Sequence, residues 1–180
     1  SSDLHFNEVF FDEVFVPDSD VVGDVNKGWL VARATLGNER MSIGGGSGAQ
    51  TGFTADDLIA LLDSVPAAQA ACAVGRAGAV LAEGHTLRLL NLRRISRAIA
   101  GAEAGPEGNV TKLVVAEQGQ RLTELAMELA GTSAVVGQRP VLAQSYLGYR
   151  AMTIAGGTSE ITRNTIAERI LGLPRDPLLK

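Results

Sequence analysis

One stretch decides the fold and the site: Ala155-Gly156-Gly157-Thr158-Ser159-Glu160-Ile161-Thr162-Arg163-Asn164. Its two glycines predict a tight turn that another molecule can approach closely. Gly157, Thr158 or Ser159 can cap the helix that follows, and apolar residues recur at helical spacing from Ile166 to Leu171. The free N–H groups at such a helix start attract phosphate, carboxylate or a polarised carbonyl oxygen. On local physics alone, an ordinary capped helix is the commoner outcome.

Composition favours a helical domain without a metal. The chain has 180 residues, of which 46% are hydrophobic and only 4% aromatic, so its core is built from Ala, Leu, Val and Ile. A net charge of −4 gives no field for nucleic acid or an acidic membrane surface. The single cysteine, Cys72, excludes an internal disulfide and, with no signal peptide or spanning apolar run, predicts a cytoplasmic protein. His5 and His85 lie too far apart in sequence to suggest a metal cluster.

Helical spacing dominates after the first residues. Leu4 to Val16 alternates in polarity and predicts one or two strands that Pro17 ends. The fold predicted is all-α: an antiparallel up-and-down four-helix bundle with a short β remnant at the N-terminus. The expected helices run from Lys27 to about Ile43, from Thr54 over a short stretch, from Pro66 to about Ala100, from about Val110 to Ala130, after Pro140, and after Gly157.

Glu39 is the most informative single residue of the first predicted helix. It shares one stripe with Trp29, Ala32, Leu36 and Ile43, and the other four members are apolar. Burial of a carboxylate raises its pKa, which suits a general base near neutral pH. The spacing alone favours a structural pairing of Glu39, with Arg40 or with a neighbouring helix.

The terminal stretch resembles a known family signature. Gly-Gly-Thr-Ser-Glu-Ile-x-Arg followed by Ile-Ala-Glu-Arg-Ile-Leu-Gly-Leu-Pro-Arg is similar to the C-terminal flavin-side signature of acyl-CoA dehydrogenases. A second similarity covers Phe10 to Pro17, Gly28-Trp29 and Asn38-Glu39-Arg40, which look like the exit from that family's β-domain into its first C-terminal helix. The resemblance implies that residues 1–25 are the tail of a β-domain with a linker and that 26–180 form the helical domain. It covers only the C-terminal half of a usual member.

The resemblance also implies a reaction and its residues. Family members remove the α-proton of an acyl-CoA thioester and pass the β-hydride to FAD. Most carry the base just before Gly-Thr, where this chain has Gly156. A subset similar to isovaleryl-CoA dehydrogenase carries it in a Leu-x-x-Glu-Arg setting, which matches Leu36 to Arg40, so Glu39 is the implied base. Arg40 and the N–H of Gly156 would bind substrate, while Thr158 and Glu160 match positions that contact FAD.

Two departures from the family pattern keep other interpretations open. Residues 44–66 hold no Arg-x-x-Phe-Gly segment, and the adenine-side glycine segment is reduced to Leu129–Ser133. This resembles bacterial members built from unlike subunits, so the predicted partners are acyl-CoA, an electron-transfer flavoprotein and a homo- or hetero-oligomer formed through the bundle. The alternatives are a non-catalytic interaction subunit of a heteromeric dehydrogenase and an ordinary oligomerisation module.

Overall fold

The regular structure is helical. A computed structural model describes residues 8–44, 52–102 and 105–175, with the backbone alone over 37–44. Within those ranges it has seven α-helices and no strand, which confirms the predicted all-α class. The chain divides into two compact units, residues 1–36 and 37–180. The helices are α1 (Gly28–Gly44), α2 (Ala55–Ser64), α3 (Ala67–Ile99), α4 (Gly108–Ala130), α5 (Thr132–Val135), α6 (Pro140–Met152) and α7 (Ser159–Arg169).

The first unit lacks the predicted β remnant over its described residues. Residues 8–27 contain one turn of 3-10 helix, Asp18–Asp20, and no strand. The strand prediction is therefore not confirmed over residues 8–16, and residues 1–7 lie outside the described part. A strand needs a neighbouring strand to pair its N–H and C=O groups, so alternating side chains alone do not create one.

In the second unit α4 is the central helix, because it packs against α2, α3, α5, α6 and α7. Several buried residues are alanines, whose small side chains let the helix axes approach closely. Leu58, Leu61, Leu125 and Leu142 fill the remaining space and are at most 2% exposed. The core cluster consists of Phe53, Leu58, Leu61, Ala73, Ala77, Val80, Leu122, Leu125, Ala126, Leu129, Ala134 and Leu142.

Helices α3 and α4 form an antiparallel hairpin. Arg76 near the start of α3 bonds to Glu128 near the end of α4, with Nη1 2.5 Å from Oε2. Further along the pair, Arg121 Nη2 lies 2.7 Å from Glu83 Oε2, and Arg97 bonds to Glu107 at 2.8 Å. The antiparallel order predicted for the bundle therefore holds for this pair. The four-helix arrangement as a whole, which would include α1, stays a prediction.

The other side of α4 packs closely against α6 through a glycine. A Cβ added to Gly119 would lie 2.1 Å from Cε1 of the Tyr149 ring, far inside van der Waals contact. Only glycine therefore fits there without a shift of the ring. The ring is partly enclosed, and burial raises the pKa of the Tyr149 hydroxyl.

Within residues 8–44, 52–102 and 105–175, no helix is long and apolar enough to cross a membrane. No group of three or more His, Cys, Asp or Glu side chains in the same ranges is placed to hold a metal ion. Cys72 is a free thiol on an exposed part of α3.

Candidate functional site

The candidate site is the loop between α6 and α7. It contains Gly156 and Gly157, whose φ angles are +66° and +104°. Such angles cost conformational energy for a residue with a Cβ, so the backbone path favours the glycine pair. The nearest atom to a Cβ built on Gly157 is Thr162 Oγ1 at 3.9 Å, so conformation rather than lack of space makes glycine necessary there.

Thr158 caps α7. Its backbone is extended, and its Oγ1 accepts a hydrogen bond from the N–H of Ile161 at 3.3 Å. The N–H of Ser159 donates to the carbonyl of Thr153 across the loop at 3.0 Å. Of the three capping candidates in the sequence, the structure therefore selects Thr158.

Glu160 occupies the first turn of α7 as an exposed carboxylate. Its pKa is lowered, chiefly by a hydrogen bond from its own backbone N–H and then by the Thr158 hydroxyl. The positive charges of Arg163 and Lys112 add smaller attractions. The carboxylate therefore stays ionised beside the positive end of the helix dipole.

Ser159 brings a polar atom into the buried side of the same helix start. The residue is only 6% exposed, and among the described residues its Oγ has no hydrogen-bond partner. Buried hydroxyls usually have a partner in native proteins. Ser159 also lines the cleft described below.

Lys112 of α4 is hydrogen-bonded to the backbone of the loop. It is 3% exposed, and its Nζ donates to the carbonyl oxygen of Gly157. Burial lowers the pKa of Lys112, and the negative charges of Glu160 and Glu117 partly offset that effect. A buried ammonium thus lies under the glycine turn.

Other α4 side chains bind the two flanks of the loop. Gln120 Nε2 donates to the carbonyl of Tyr149 at 3.1 Å, close to the end of α6. Arg163 of α7 bonds to Glu117, and Arg150 of α6 bonds to Glu124 at 2.6 Å. One helix therefore fixes the loop from both of its ends.

An open cleft of about 510 Å³ lies beside this loop in the second unit. Its lining combines the start of α7 with the polar face of α4 and carries charges of both signs. The residues are Glu117, Gln120, Arg121, Glu124, Thr153, Ile154, Thr158, Ser159, Glu160 and Arg163. Such a surface suits a polar ligand with several hydrogen-bonding groups better than an aliphatic chain.

The structure places the predicted site residues in two sets. Gly156, Thr158 and Glu160 come together in the α6–α7 loop and the first turn of α7. Glu39 and Arg40 belong to the backbone of α1, but their side chains lie outside the described part of the structure.

The sequence interpretation missed Lys112. The sequence spacing nevertheless points to this residue. Lys112 lies on the same helical stripe as Ala116, Gly119, Thr123 and Ala126, all of which are buried. A lysine in a stripe of small buried residues is unusual and indicates a specific acceptor. Its acceptor, a carbonyl distant in sequence, could not be identified without the fold.

Comparison with known proteins identifies the family. The model of the acyl-CoA dehydrogenase C-terminal domain matches residues 26–171. The chain therefore belongs to the acyl-CoA dehydrogenase family, of which it carries the C-terminal domain. No solved structure matches it.

Curated relatives carry the same family name. Acyl-CoA dehydrogenase FadE34 of Mycobacterium tuberculosis is 38% identical over 175 residues, which cover 97% of this chain and 24% of the relative. Acyl-CoA dehydrogenase IpdE1 of Mycolicibacterium smegmatis is 35% identical, with 98% of this chain and 44% of the relative covered. IpdE1 of Mycobacterium tuberculosis is 36% identical, with 95% and 45% covered. The chain thus spans from about a quarter to under half of these relatives.

Proposed function

We propose that this chain is the C-terminal part of an FAD-dependent enzyme that introduces an α,β double bond into an acyl-CoA thioester. The observation that carries the proposal is membership of the acyl-CoA dehydrogenase family over residues 26–171. The glycine turn that opens α7 supports it, because its N–H groups suit a polarised carbonyl or a phosphate. Residues 1–25 are proposed to belong to a preceding β-domain, and 26–180 to the helical domain.

Glu39 is the proposed base. It follows Leu36 in the Leu-x-x-Glu-Arg setting, and position 156, where most relatives carry a carboxylate, is a glycine. Its carboxylate takes the α-proton while the β-hydride leaves the substrate. FAD supplies the hydride acceptor when bound.

Gly156 and Arg40 are the proposed substrate contacts. As the α-proton leaves, negative charge develops on the thioester oxygen. The N–H of Gly156 would donate to that oxygen, and a preorganised donor of this kind stabilises the enolate-like transition state. Arg40, next to the base, is proposed to bind substrate as the family signature implies.

Thr158 and Glu160 are the proposed flavin contacts, and the described residues fit such a ligand. The cleft beside them is polar, and the unpartnered Ser159 Oγ is a hydrogen-bonding group that a ribityl hydroxyl or a phosphate oxygen would satisfy. The capping role of Thr158 and the dipole contact of Glu160 are compatible with flavin contacts. Both roles need the same helix start to be rigid.

The wider assignment is supported by family membership for the substrate and partners, and by the single cysteine for the compartment. The substrate would be an acyl-CoA, and electrons would pass to an electron-transfer flavoprotein. The helical domain is proposed to assemble into a homo- or hetero-oligomer, and the protein to act in the cytoplasm. The 180-residue chain alone is expected to be inactive, because a family flavin site also uses the β-domain.

A second candidate is a non-catalytic helical subunit of a heteromeric acyl-CoA dehydrogenase. It is favoured by the missing Arg-x-x-Phe-Gly segment between residues 44 and 66 and by the shortened glycine segment Leu129–Ser133. Both family segments contact the flavin, so their loss would weaken FAD binding. Such a subunit would keep the bundle and lose the cofactor.

The flavin spectrum of the complete gene product separates the two candidates. The first predicts a yellow protein whose oxidised-flavin band bleaches when a panel of acyl-CoAs of different chain length and ring content is added. A protein that purifies without flavin, both alone and with its co-expressed neighbouring subunits, would support the second.

Substitution of the base sharpens this test. Glu39→Gln removes the basic oxygen and keeps the size of the side chain. It should retain flavin and acyl-CoA binding while the rate of flavin reduction falls by roughly 10²–10⁴-fold. Glu8→Gln, a change of the same type before the helical domain, serves as the matched control and should reduce flavin at the parental rate. A parental rate in Glu39→Gln would show that Glu39 is structural.

A further inference from the structure

Lys112 is a buried lysine whose hydrogen-bond acceptor is a backbone carbonyl rather than a carboxylate. It lies on the small-residue stripe of α4, where Ala116 and Gly119 are the next buried members. Lysine is rarely buried without an acidic partner. Here the acceptor of Nζ is the Gly157 carbonyl, while the nearby carboxylate of Glu117 bonds to Arg163.

The acceptor carbonyl belongs to the peptide between Gly157 and Thr158. A cation bonded to a carbonyl polarises the whole peptide group, so the N–H on its other side becomes a stronger donor. That N–H is on Thr158, the capping residue of α7. The same bond fixes the rotation of a glycine that would otherwise be free to turn.

We propose that Lys112 is a positioning residue of the acyl-CoA dehydrogenase reaction. It holds the Gly156–Gly157 turn in the conformation that directs the Gly156 N–H at the thioester and strengthens the Thr158 N–H toward the flavin. The inference rests on the proposed function. It adds a residue of α4 that contacts neither substrate nor flavin and acts through a backbone carbonyl.

A cost in stability accompanies this arrangement. Burial disfavours the ammonium in the folded state, as the lowered pKa of Lys112 indicates. Removal of the ammonium ends that burial penalty but leaves the Gly157 carbonyl without its donor, so the two effects on stability oppose each other. A positioning role therefore predicts that activity and stability separate when Lys112 is replaced by methionine.

The test compares Lys112→Met with a matched control, Lys27→Met, in the complete gene product. Lys27 has the same charge but is an exposed partner of Asp24. Lys112→Met should keep its flavin and a melting temperature close to the parental one. Its kcat for acyl-CoA-dependent flavin reduction should fall by up to about 10²-fold, as for a displaced reacting group, with a smaller change in KM. Lys27→Met should behave as the parent, and Lys112→Arg, which keeps a cation, should recover part of kcat.

Amide hydrogen exchange gives a readout that does not depend on catalysis. In Lys112→Met the amides of residues 156–158 should exchange faster, while those of Leu125 and Ala126 in the α4 core keep the parental rate. Unchanged exchange in the loop, or a parental kcat per bound flavin, would overturn the inference. If the parent shows no acyl-CoA-dependent reduction, the proposed function fails, and the exchange measurement still decides whether Lys112 holds the turn.

Discussion

Helix α4 meets its neighbours through two different kinds of contact. In the first kind, partly exposed side chains form ion pairs, as between Arg76 and Glu128 toward α3, each 58% exposed, and between Arg150 and Glu124 toward α6. In the second kind, enclosed side chains of α4 donate to backbone carbonyls, as Gln118 does at Val80 of α3 and Lys112 does at Gly157. The first kind fixes register and tolerates exchange of residues. The second fixes the path of the partner's backbone and leaves little room for substitution.

Substitution at the tight contact between α4 and α6 should have the largest effect on stability. Gly119→Ala places a Cβ 2.1 Å from the Tyr149 ring, so the ring must move. The free energy of unfolding should fall by about 1–3 kcal/mol, the usual cost of overpacking. Urea denaturation of the parent and the variant measures this difference in the free energy of unfolding.

Gly75→Ala on α3 is the matched control for that contact. Apart from its own helical turn, no described residue has an atom within 4 Å of a Cβ built there. The change should therefore raise stability by about 0.5–1 kcal/mol, since alanine favours helix over glycine. If both variants lose stability equally, the loss in Gly119→Ala does not come from the contact with the Tyr149 ring.

The glycine turn should give the next largest effect. Gly157→Ala forces a Cβ onto a backbone with φ of +104°, at a cost of about 1–2 kcal/mol. Gly148→Ala in α6 is the control and should be neutral or stabilising, because no described residue beyond its own helical turn has an atom within 4 Å of a Cβ there. Thermal melts of both variants decide the point. Equal melting temperatures would mean that the turn adopts another conformation.

The surface pair between α3 and α4 should show the smallest effect, and it should depend on pH. The pKa of Glu128 lies below its ordinary value of 4.5, chiefly because of the hydrogen bond from Arg76. A carboxylate with a lowered pKa in the folded state adds stability above its unfolded pKa and loses it as pH falls through the folded pKa. The loss in Glu128→Gln should therefore be present at neutral pH and vanish in acid.

A double-mutant cycle tests the partner of that carboxylate. In an Arg76→Gln background, Glu128→Gln should change the free energy of unfolding little at any pH, because the hydrogen bond is already absent. Added salt should reduce the effect in the parent as well. If Glu128→Gln still lowers the free energy of unfolding in acid, or in the Arg76→Gln background, the loss comes from packing and not from the ion pair.

Local signals explain why most helix positions could be predicted from sequence. Thr54 caps α2 through a reciprocal pair with Asp57, Pro140 begins α6, and Gly131 ends α4, each as turn and cap chemistry predicts. Apolar periodicity also predicted the long helix that the structure places at Ala67–Ile99.

The unpredicted features depend on residues far apart in sequence. The bond from Lys112 to Gly157 and the fit of Gly119 to Tyr149 form only when α4 meets α6 and the loop. No periodicity encodes such a pairing. The strand prediction over residues 8–16 was not confirmed for a related reason, since alternation describes one strand and pairing needs two. The roles of the predicted site residues remain proposals.

The ion pairs between α3 and α4 also determine which misalignments of the hairpin are penalised. Their signs alternate, with Arg76 facing Glu128 and Glu83 facing Arg121 two helical turns further along. If α3 slid by two turns in one direction, Arg76 would face Arg121. A slide in the other direction would bring Glu83 opposite Glu128. Either error places like charges together, so the hairpin is discouraged from settling one heptad out of place during folding.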